Sequence, residues 1–573
     1  MHKPQKRWQI FPLITPEADK SLIEFPQPLR QILFNRGYPT STAALDFLAA
    51  RPPIGSDPFN LLGMGSAVDR LSSAIKNQEK IAIYGDYDAD GVTATALMVQ
   101  VLSTLGAKVE GYIPNRFDEG YGLNNEALAS LQQSGVDLVV TVDCGVRSIE
   151  EVEHARKLGL EMIITDHHHP GDELPAVLAV INPKQYGDDY PDKNLAGVGL
   201  AFKLAKALMS HLALEQGQTS DEFETMNLLD LVALGTVADL APLIGENRSL
   251  VRAGIASLQQ PKRQGLQALI GVCGLIPRRL QASDIGYILG PRLNAAGRLD
   301  SALAAFDLLT TEDIYNAGRL AQQLDNQNRE RQKITREVQE KAERIALDDD
   351  PDSLLLFAAD PEFNPGIVGL AASRLNEQYY RPAIVAYKGD TYTRGSCRSI
   401  PEFHITEALD QCEELMEHHG GHAAAAGFTV RNENLPELIS RLRAIAFEQL
   451  SKIDLRPVIN GDVEIQLSNL VPEIIDQLDL LQPTGYGNPQ PVFVSRELRI
   501  LDHRQVGREG NHLRLTVTDG WITYDAIAFG QGHWYEEMPS LVDLMYAFET
   551  NEFNGKESLQ LRVRDIKPSN SDD

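Results

Sequence analysis

Cysteine is scarce in this chain. Cys144, Cys273, Cys397 and Cys412 are the only four among 573 residues, and no two stand at Cys-x-x-Cys spacing. That excludes a disulfide framework and a structural zinc site, and it suits a reducing cytoplasm. Long hydrophobic runs are missing as well. Stretches such as Asp137-Leu138-Val139-Val140-Thr141-Val142 are strand length and far too short to cross a bilayer. No apolar region follows the basic opening Met1-His2-Lys3-Pro4-Gln5-Lys6-Arg7-Trp8, so no secretory signal is expected and a cytoplasmic location is read. Positive charge is in deficit, with 53 Lys and Arg against 80 Asp and Glu, a net charge of −27. Taken over the whole chain, this speaks against a nucleic-acid partner, because phosphate binding needs a basic surface. Whole-chain charge says little about one groove, however, and acidic metal ligands are offset by their ions.

What is present is enough apolar residue for several cores (43%) and a length that argues for three or more domains. Residues 1–75 read as an irregular N-terminal segment with a short helical stretch near Ser41–Ala50. From Ile81, β-rich runs (Ile81–Tyr84, Val109–Ile113, Leu138–Val142, Met162–Thr165, Val177–Ile181) alternate with helical patterns such as Thr93–Leu105 and Asn125–Gln133. This is the rhythm of a doubly wound α/β fold with a parallel sheet. Residues 197–300 read as mostly helical, and the polar stretch Thr311–Leu347 as one long connecting helix. A second, smaller α/β region follows from about Ser353 to Leu450. Runs such as Leu498–Leu501, His512–Thr518 and Leu559–Val563 suggest a C-terminal β-barrel of the OB type. The expected domains are therefore 1–75, 76–305, a connecting helix 306–350, 351–452 and 456–570.

The chemistry gathers in four segments, each read as ending a strand: Gly85-Asp86-Tyr87-Asp88-Ala89-Asp90-Gly91, Val142-Asp143-Cys144-Gly145, Asp166-His167-His168-His169 and Val237-Ala238-Asp239. In a parallel sheet, ligands collect at the C-terminal strand ends. Asp88 and Asp90, two apart in a loop leaving the sheet, can turn toward one crevice. Carboxylates mixed with imidazoles suit a pair of Mn2+ or Mg2+ ions that hydrolyse a phosphodiester. A lone aspartate in such a place is more often a turn or helix cap; four such segments together are not.

These segments resemble the DHH phosphoesterase superfamily. Tyr112-Ile-Pro-Asn-Arg-Phe-Asp-Glu-Gly-Tyr-Gly-Leu-Asn124, Ala233-Leu-Gly-Thr-Val-Ala-Asp-Leu240, Gly290-Pro-Arg-Leu-Asn-Ala-Ala-Gly-Arg298 and Gly420-Gly-His-Ala-Ala-Ala-Ala-Gly-Phe428 narrow the resemblance to its RecJ branch, with a DHHA1 domain. The resemblance implies a single-strand-specific 5′→3′ exonuclease that releases 5′-mononucleotides in DNA recombination and repair. It implies Asp88, Asp90, Asp143, His167 and Asp239 as metal ligands, with Asp143 bridging two ions. It also implies that Asp143, His167 and His168 form the catalytic group and that Asp86 and Asp166 orient ligands from behind. It departs from the family at Tyr84, where many members carry a histidine, and at Phe363-Asn364, where Trp-His is usual.

The resemblance also implies the cations that the overall charge left unexplained. Arg298, Arg374, Ser396 and Arg398 are candidates for the 5′-terminal phosphate, with Ser396 and Arg398 two apart on one strand face. Arg116, Tyr121 and His422 are candidates for the rest of the substrate. Trp521 and Trp534, in the OB-like region, read as core or as base platforms, with core the first expectation. Implied partners are single-stranded DNA with a 5′ end, a helicase and a single-strand-binding protein, with no membrane and a monomeric chain. The passage between the DHH and DHHA1 regions is expected to admit only one strand. Two alternatives stay open: a DHH phosphoesterase for short RNA, cyclic dinucleotides or pyrophosphate, and a non-catalytic DNA-binding scaffold.

Overall fold

The computed structural model describes residues 5–115, 119–120, 122–215, 228–299, 301–553 and 556–569. They form two compact units, Gln9–Asp325 with Asn460–Asp573, and Asn326–Ile459 with Met1–Trp8.

The N-terminal segment is not irregular. After β1 (Arg7–Ile10) it forms α1 (Pro16–Ser21), α2 (Gln27–Asn35), α3 (Ser41–Leu48) and α4 (Met64–Asn77). Pro16, Pro26 and Pro28 look like breakers in sequence. They lie at or just before the first turns of α1 and α2, where a missing N–H costs nothing. Leu22, Leu29, Ile32, Leu33 and Phe47 from this segment share a core with Leu467, Phe493, Leu513 and Tyr546 near the far end of the chain. Arg248, in α10 (Gly245–Leu258), ties this region together. Its guanidinium lies 4.1 Å over the Phe47 ring and donates to the carbonyls of Phe47, Leu480, Leu481 and Pro483 at 2.9–3.2 Å.

The sheet that positions the site consists of β2 (Lys80–Tyr84), β3 (Lys108–Tyr112), β4 (Leu138–Val142), β5 (Glu161–Thr165) and β6 (Ala179–Ile181). All neighbours are parallel, in the order β3-β2-β4-β5-β6. The connecting helices are α5 (Ala89–Thr104), α6 (Asn125–Gln133) and α7 (Ile149–Lys157). The chain leaves β2 for β3 on one side and returns to β4 on the other, so β2 and β4 flank a topological switch point. The pairings Tyr84↔Thr141 and Val142↔Thr165 bring the C-terminal ends of β2, β4 and β5 side by side.

Two helices depart from the expectation. α8 (Gly197–Glu215) is long and apolar enough to cross a bilayer by composition, but it is a core helix, 67% buried against α4, α5 and α9 (Leu229–Ala238). Val237-Ala238-Asp239 does not end a strand. It is the end of α9, with Asp239 as its C-cap. Leu231, Val232, Ala233 and Leu234 are all fully buried, so the run is apolar on every side and shows no period to tell helix from strand.

Beyond α10, a five-residue π-turn (Ile285–Leu289) leads into α11 (Gly290–Leu299). The 36-residue helix α12 (Ile314–Asp349) then runs from one unit into the next. In that unit β7 (Leu356–Asp360), β8 (Ala383–Lys388), β9 (Tyr392–Arg398), β10 (Met416–His422) and β11 (Ala425–Arg431) form a sheet ordered β10-β11-β9-β8-β7. Helices α13 (Val368–Tyr379) and α14 (Leu435–Leu450) complete it. Beyond β12 (Val458–Gly461) and the short β13 (Val463–Glu464) come β14 (Phe493–Val506), β15 (His512–Thr518), β16 (Thr523–Ala528), β17 (Leu541–Phe553) and β18 (Lys556–Pro568). The last five pair in a ring closed by β14 against β17, which makes a five-stranded barrel. Trp521 is not core: it stands 90% exposed in the turn between β15 and β16.

Candidate metal centre

The strand ends deliver their residues by local rules. Past β2, Asp88 is the N-cap of α5; its Oδ1 accepts from the backbone N–H groups of Asp90 (2.9 Å) and Gly91 (3.1 Å). The expected loop is thus shorter than it looked, and Asp90 sits in the first helical turn. Both Asp90 oxygens accept from the N-terminus of α8, Oδ2 from Gly197 N (2.7 Å) and Oδ1 from Val198 N (2.9 Å). Past β4, Asp143 has φ +67°, a left-handed conformation rare for a residue with a Cβ and a hallmark of strained functional positions. Its N–H is held by Thr165 O at 3.0 Å.

Past β5, Asp166 is fully engaged. Its Oδ2 accepts from Val146 N (2.9 Å), and its Oδ1 accepts from His168 N (3.0 Å) and meets His168 Nδ1 at 2.7 Å. Two residues not singled out in the sequence hold the histidine backbone: Asn182 Nδ2 donates to His168 O (2.8 Å) and Lys184 Nζ to His167 O (2.5 Å). Both follow β6, so the rule that ligands gather at parallel strand ends would have found them.

These side chains converge on three overlapping groups whose ligand atoms lie within 4.8 Å of one another: Asp86, Asp88 and Asp143; Asp90, His167 and Asp239; and Asp143, His167 and His168. Asp143 belongs to two of them and His167 to two. Asp86 thus stands among the potential ligands, not only behind them. His167 Nε2 is 3.1 Å from Asp143 Oδ1 and 3.8 Å from Asp239 Oδ2. Asp143 Oδ1 and His167 Nε2 are both buried, and neither has a hydrogen-bond partner among the described residues. Tyr84 takes no part, since its hydroxyl donates to Gly122 O at 3.2 Å.

The electrostatics make the same point. Burial, then Asp90, Asp88, Asp86 and Asp239, push the Asp143 carboxyl well above its usual range. Burial and neighbouring carboxylates lift Asp239 to about 9 and Asp90 to about 7. Burial and His168 pull His167 down to about 3, so its ring is neutral. The His167–Asp143 contact is therefore no ion pair; a neutral ring and a carboxyl crowded by other acids face one point, an arrangement that a cation suits. Burial alone would lower His168, but its hydrogen bond to Asp166 outweighs this and raises it, while Asp166 is held low in return. The residues present fit two divalent ions.

In the other unit, Arg398 Nε donates to Ser373 Oγ (3.1 Å) and Nη1 to Ser396 Oγ (3.3 Å). Ser396 and Arg398 share one face of β9, beside Gly369 of α13. Arg374, on α13, donates to Gln339 Oε1 (3.2 Å). His422 ends β10 in the open. Arg298 lies in the last turn of α11 in the unit that holds the sheet. Arg116 and Tyr121 lie outside the described residues.

Comparison with known proteins agrees with this architecture. The family model described as "DHH family, N-terminal domain" matches residues 80–236, "DHHA1 domain" matches 352–448 and "RecJ OB domain" matches 461–565. The chain is 40% identical to the single-stranded-DNA-specific exonuclease RecJ of Bacillus subtilis (strain 168), over 98% of this chain and 71% of that protein. It is 38% identical to the Escherichia coli (strain K12) protein of that name, over 95% and 96%. The crystal structure of RecJ with Mn2+ from Thermus thermophilus superposes with a TM-score of 0.84 at 30% identity, covering 99% of this chain and 80% of that one; a Mg2+ form gives 0.78. A parallel sheet with carboxylates and imidazoles at its strand ends, followed by a DHHA1 domain, defines a protein of the DHH class. Within that class, the chain belongs to the RecJ family.

Proposed function

We propose that this chain is a metal-dependent exonuclease that degrades single-stranded DNA from its 5′ end to 5′-mononucleotides, in DNA recombination and repair. The observation that carries the reading is the set of three ligand groups linked through Asp143 and His167, each of which belongs to two of them. Asp86, Asp88 and Asp143 would hold one divalent ion, and Asp90, His167 and Asp239 the other; Asp143 and His167, which also group with His168, would link the two. When bound, Mn2+ or Mg2+ polarises a phosphodiester and makes water a competent nucleophile near neutral pH. Asp143 orients the attacking water along the line to the phosphorus. His167, kept neutral, offers a lone pair rather than a proton. His168, tethered at Nδ1 by Asp166 and raised above its ordinary pKa, brings an N–H toward the charge that builds on the phosphate. Tyr121 stacks on an unpaired base. Arg298, Arg374, Ser396 and Arg398 are each candidates for the terminal phosphate, and Arg116 and His422 for the strand behind it; a guanidinium on the terminal phosphate would select an end over an internal bond. We place the activity in the cytoplasm. A helicase and a single-strand-binding protein are the partners it calls for.

The test uses single-stranded DNA oligomers labelled at the 5′ or the 3′ end, with Mn2+. The expected result is immediate release of the 5′ label as a mononucleotide, abolished in Asp143→Ala. Release from the 3′ end, or cleavage of short RNA alone, would overturn the polarity and substrate. Mn2+ binding without any cleavage would favour a scaffold.

A further inference from the structure

Helix α11 carries Gly290, Asn294 and Gly297 at positions i, i+4 and i+7, a spacing that aligns them on one face. That face touches two segments that bear metal-centre residues. A Cβ on Gly290 would stand 3.1 Å from the Cβ of Ala238, the neighbour of Asp239. A Cβ on Gly297 would stand 2.6 Å from the backbone oxygen of Tyr87, the neighbour of Asp88. Between them, Asn294 Oδ1 accepts from Ala89 N at 2.7 Å.

Ala89 is the residue between Asp88 and Asp90, and its N–H is one of the first-turn donors of α5 that no intrahelical carbonyl can reach. Asp88 Oδ1 already takes the N–H groups of Asp90 and Gly91, and Val92 N returns to Asp88 O at 2.9 Å. The Ala89 donor, on a residue 1% exposed, is left to Asn294. An asparagine in mid-helix is otherwise a poor choice, because its short amide competes with the backbone. On the opposite side α11 is anchored. Arg292 donates through Nε to the fully buried Asp325 (3.0 Å) and through Nη1 to Ile288 O in the π-turn (2.7 Å).

We propose that Asn294 is a positioning residue of the metal centre. By completing the cap of α5 from a separate helix, it fixes the angle between Asp88 in one ligand group and Asp90 in the other. The Arg292–Asp325 pair keeps Asn294 at that distance. The inference rests on the metal centre described above, but not on the exonuclease reading.

Calorimetric titration of the full chain with Mn2+ alone, in wild type, Asn294→Ala and Asn294→Asp, tests it. Loss of an outer-sphere partner weakens metal binding roughly 10–100-fold, and that loss is expected for Asn294→Ala. Asn294→Asp, which keeps the acceptor, stays within about threefold of wild type on the same scale. Amide exchange at Ala89 in the metal-free protein is faster in Asn294→Ala and restored in Asn294→Asp. At saturating Mn2+ the kcat recovers, and the KM for oligonucleotide is unchanged. Unchanged Mn2+ affinity in a folded Asn294→Ala, or a loss that Asn294→Asp shares equally, would overturn the proposal. Should Asn294→Ala not fold, Arg292→Met carries the test, with a smaller loss in the same direction; unchanged Mn2+ affinity there would overturn it. Wild type that binds no Mn2+ would sink the metal centre itself, an outcome distinct from these.

Discussion

Gly197 lies directly against Asp143: a Cβ on Gly197 would stand 2.6 Å from both the Cβ and the Oδ1 of the aspartate. The same glycine donates its N–H to Asp90. One small residue at the head of α8 therefore sets the distance between two acids that belong to different ligand groups. Gly197→Ala should push Asp143 and α8 apart. The expected cost is about 1–3 kcal/mol of stability, measured by urea denaturation, with Mn2+ affinity lowered at least about 10-fold.

Asp143→Asn should act oppositely on stability and on function. In the metal-free chain the Asp143 carboxyl is crowded by Asp90, Asp88, Asp86 and Asp239. A neutral amide removes that repulsion, so the metal-free melting temperature should rise. The Mn2+-induced rise in Tm should vanish. The cleavage rate should fall by more than the roughly 100-fold loss expected of an outer-sphere partner.

The acids also dictate a pH dependence. Their folded pKa values lie above the unfolded carboxylate value of about 4, Asp90 at about 7 and Asp239 at about 9. Between the unfolded and folded values the native state binds more protons than the unfolded one, so metal-free stability falls as pH rises. It is fully present below the unfolded pKa and is lost as pH rises through the folded values. Mn2+ competes with those same protons. Thermal melts with and without Mn2+ should therefore diverge with rising pH, the metal-induced shift growing as Asp90 and then Asp239 ionise.

Arg398→Ala should separate end recognition from chemistry. A charge-assisted phosphate contact contributes about 1.5–3 kcal/mol. The KM for a 5′-phosphorylated oligomer should rise roughly 10–100-fold. The KM for a 5′-hydroxyl oligomer should change little. Steady-state rates on the two substrates distinguish this from a general loss of activity.

Arg248→Met removes four donations to backbone carbonyls and the stacking on Phe47. The carbonyls of Leu481 and Pro483 keep only the Asn488 amide, at 2.8 and 2.7 Å. Destabilisation of about 2–4 kcal/mol is expected, read from urea midpoints, with the metal centre still able to bind Mn2+.

Much of the catalytic unit was legible because a parallel sheet writes short apolar runs with polar residues at their C-terminal ends. Asp88, Asp143, His167 and His168 could be placed on that basis alone. Asp239 could not, because α9 is buried on every side and its run carries no helical period. Asp90 looked like a loop residue because Asp88 starts the helix earlier than the apolar pattern does. The roles of Gly197 and Asn294 were hidden for another reason: each reaches a residue more than a hundred positions away, as in Gly197 N to Asp90 and Ala89 N to Asn294, separations of 107 and 205. The prolines of α1 and α2 concealed helices because a proline in a first turn and a proline that ends a helix look alike in sequence.

The shared core of α1–α3 and the C-terminal barrel has a consequence during synthesis. Asn35 donates to the backbone of Asp462, 427 residues later. At about 5–20 residues per second, the partner emerges from the ribosome roughly 20–85 s after the helices do. Throughout that interval Leu22, Leu29, Ile32 and Leu33 have no barrel to cover them. The nascent chain must carry a sticky N-terminal surface while the sheet behind it folds. Truncations that lack the barrel should therefore be captured by chaperones or aggregate, even when the sheet itself has formed.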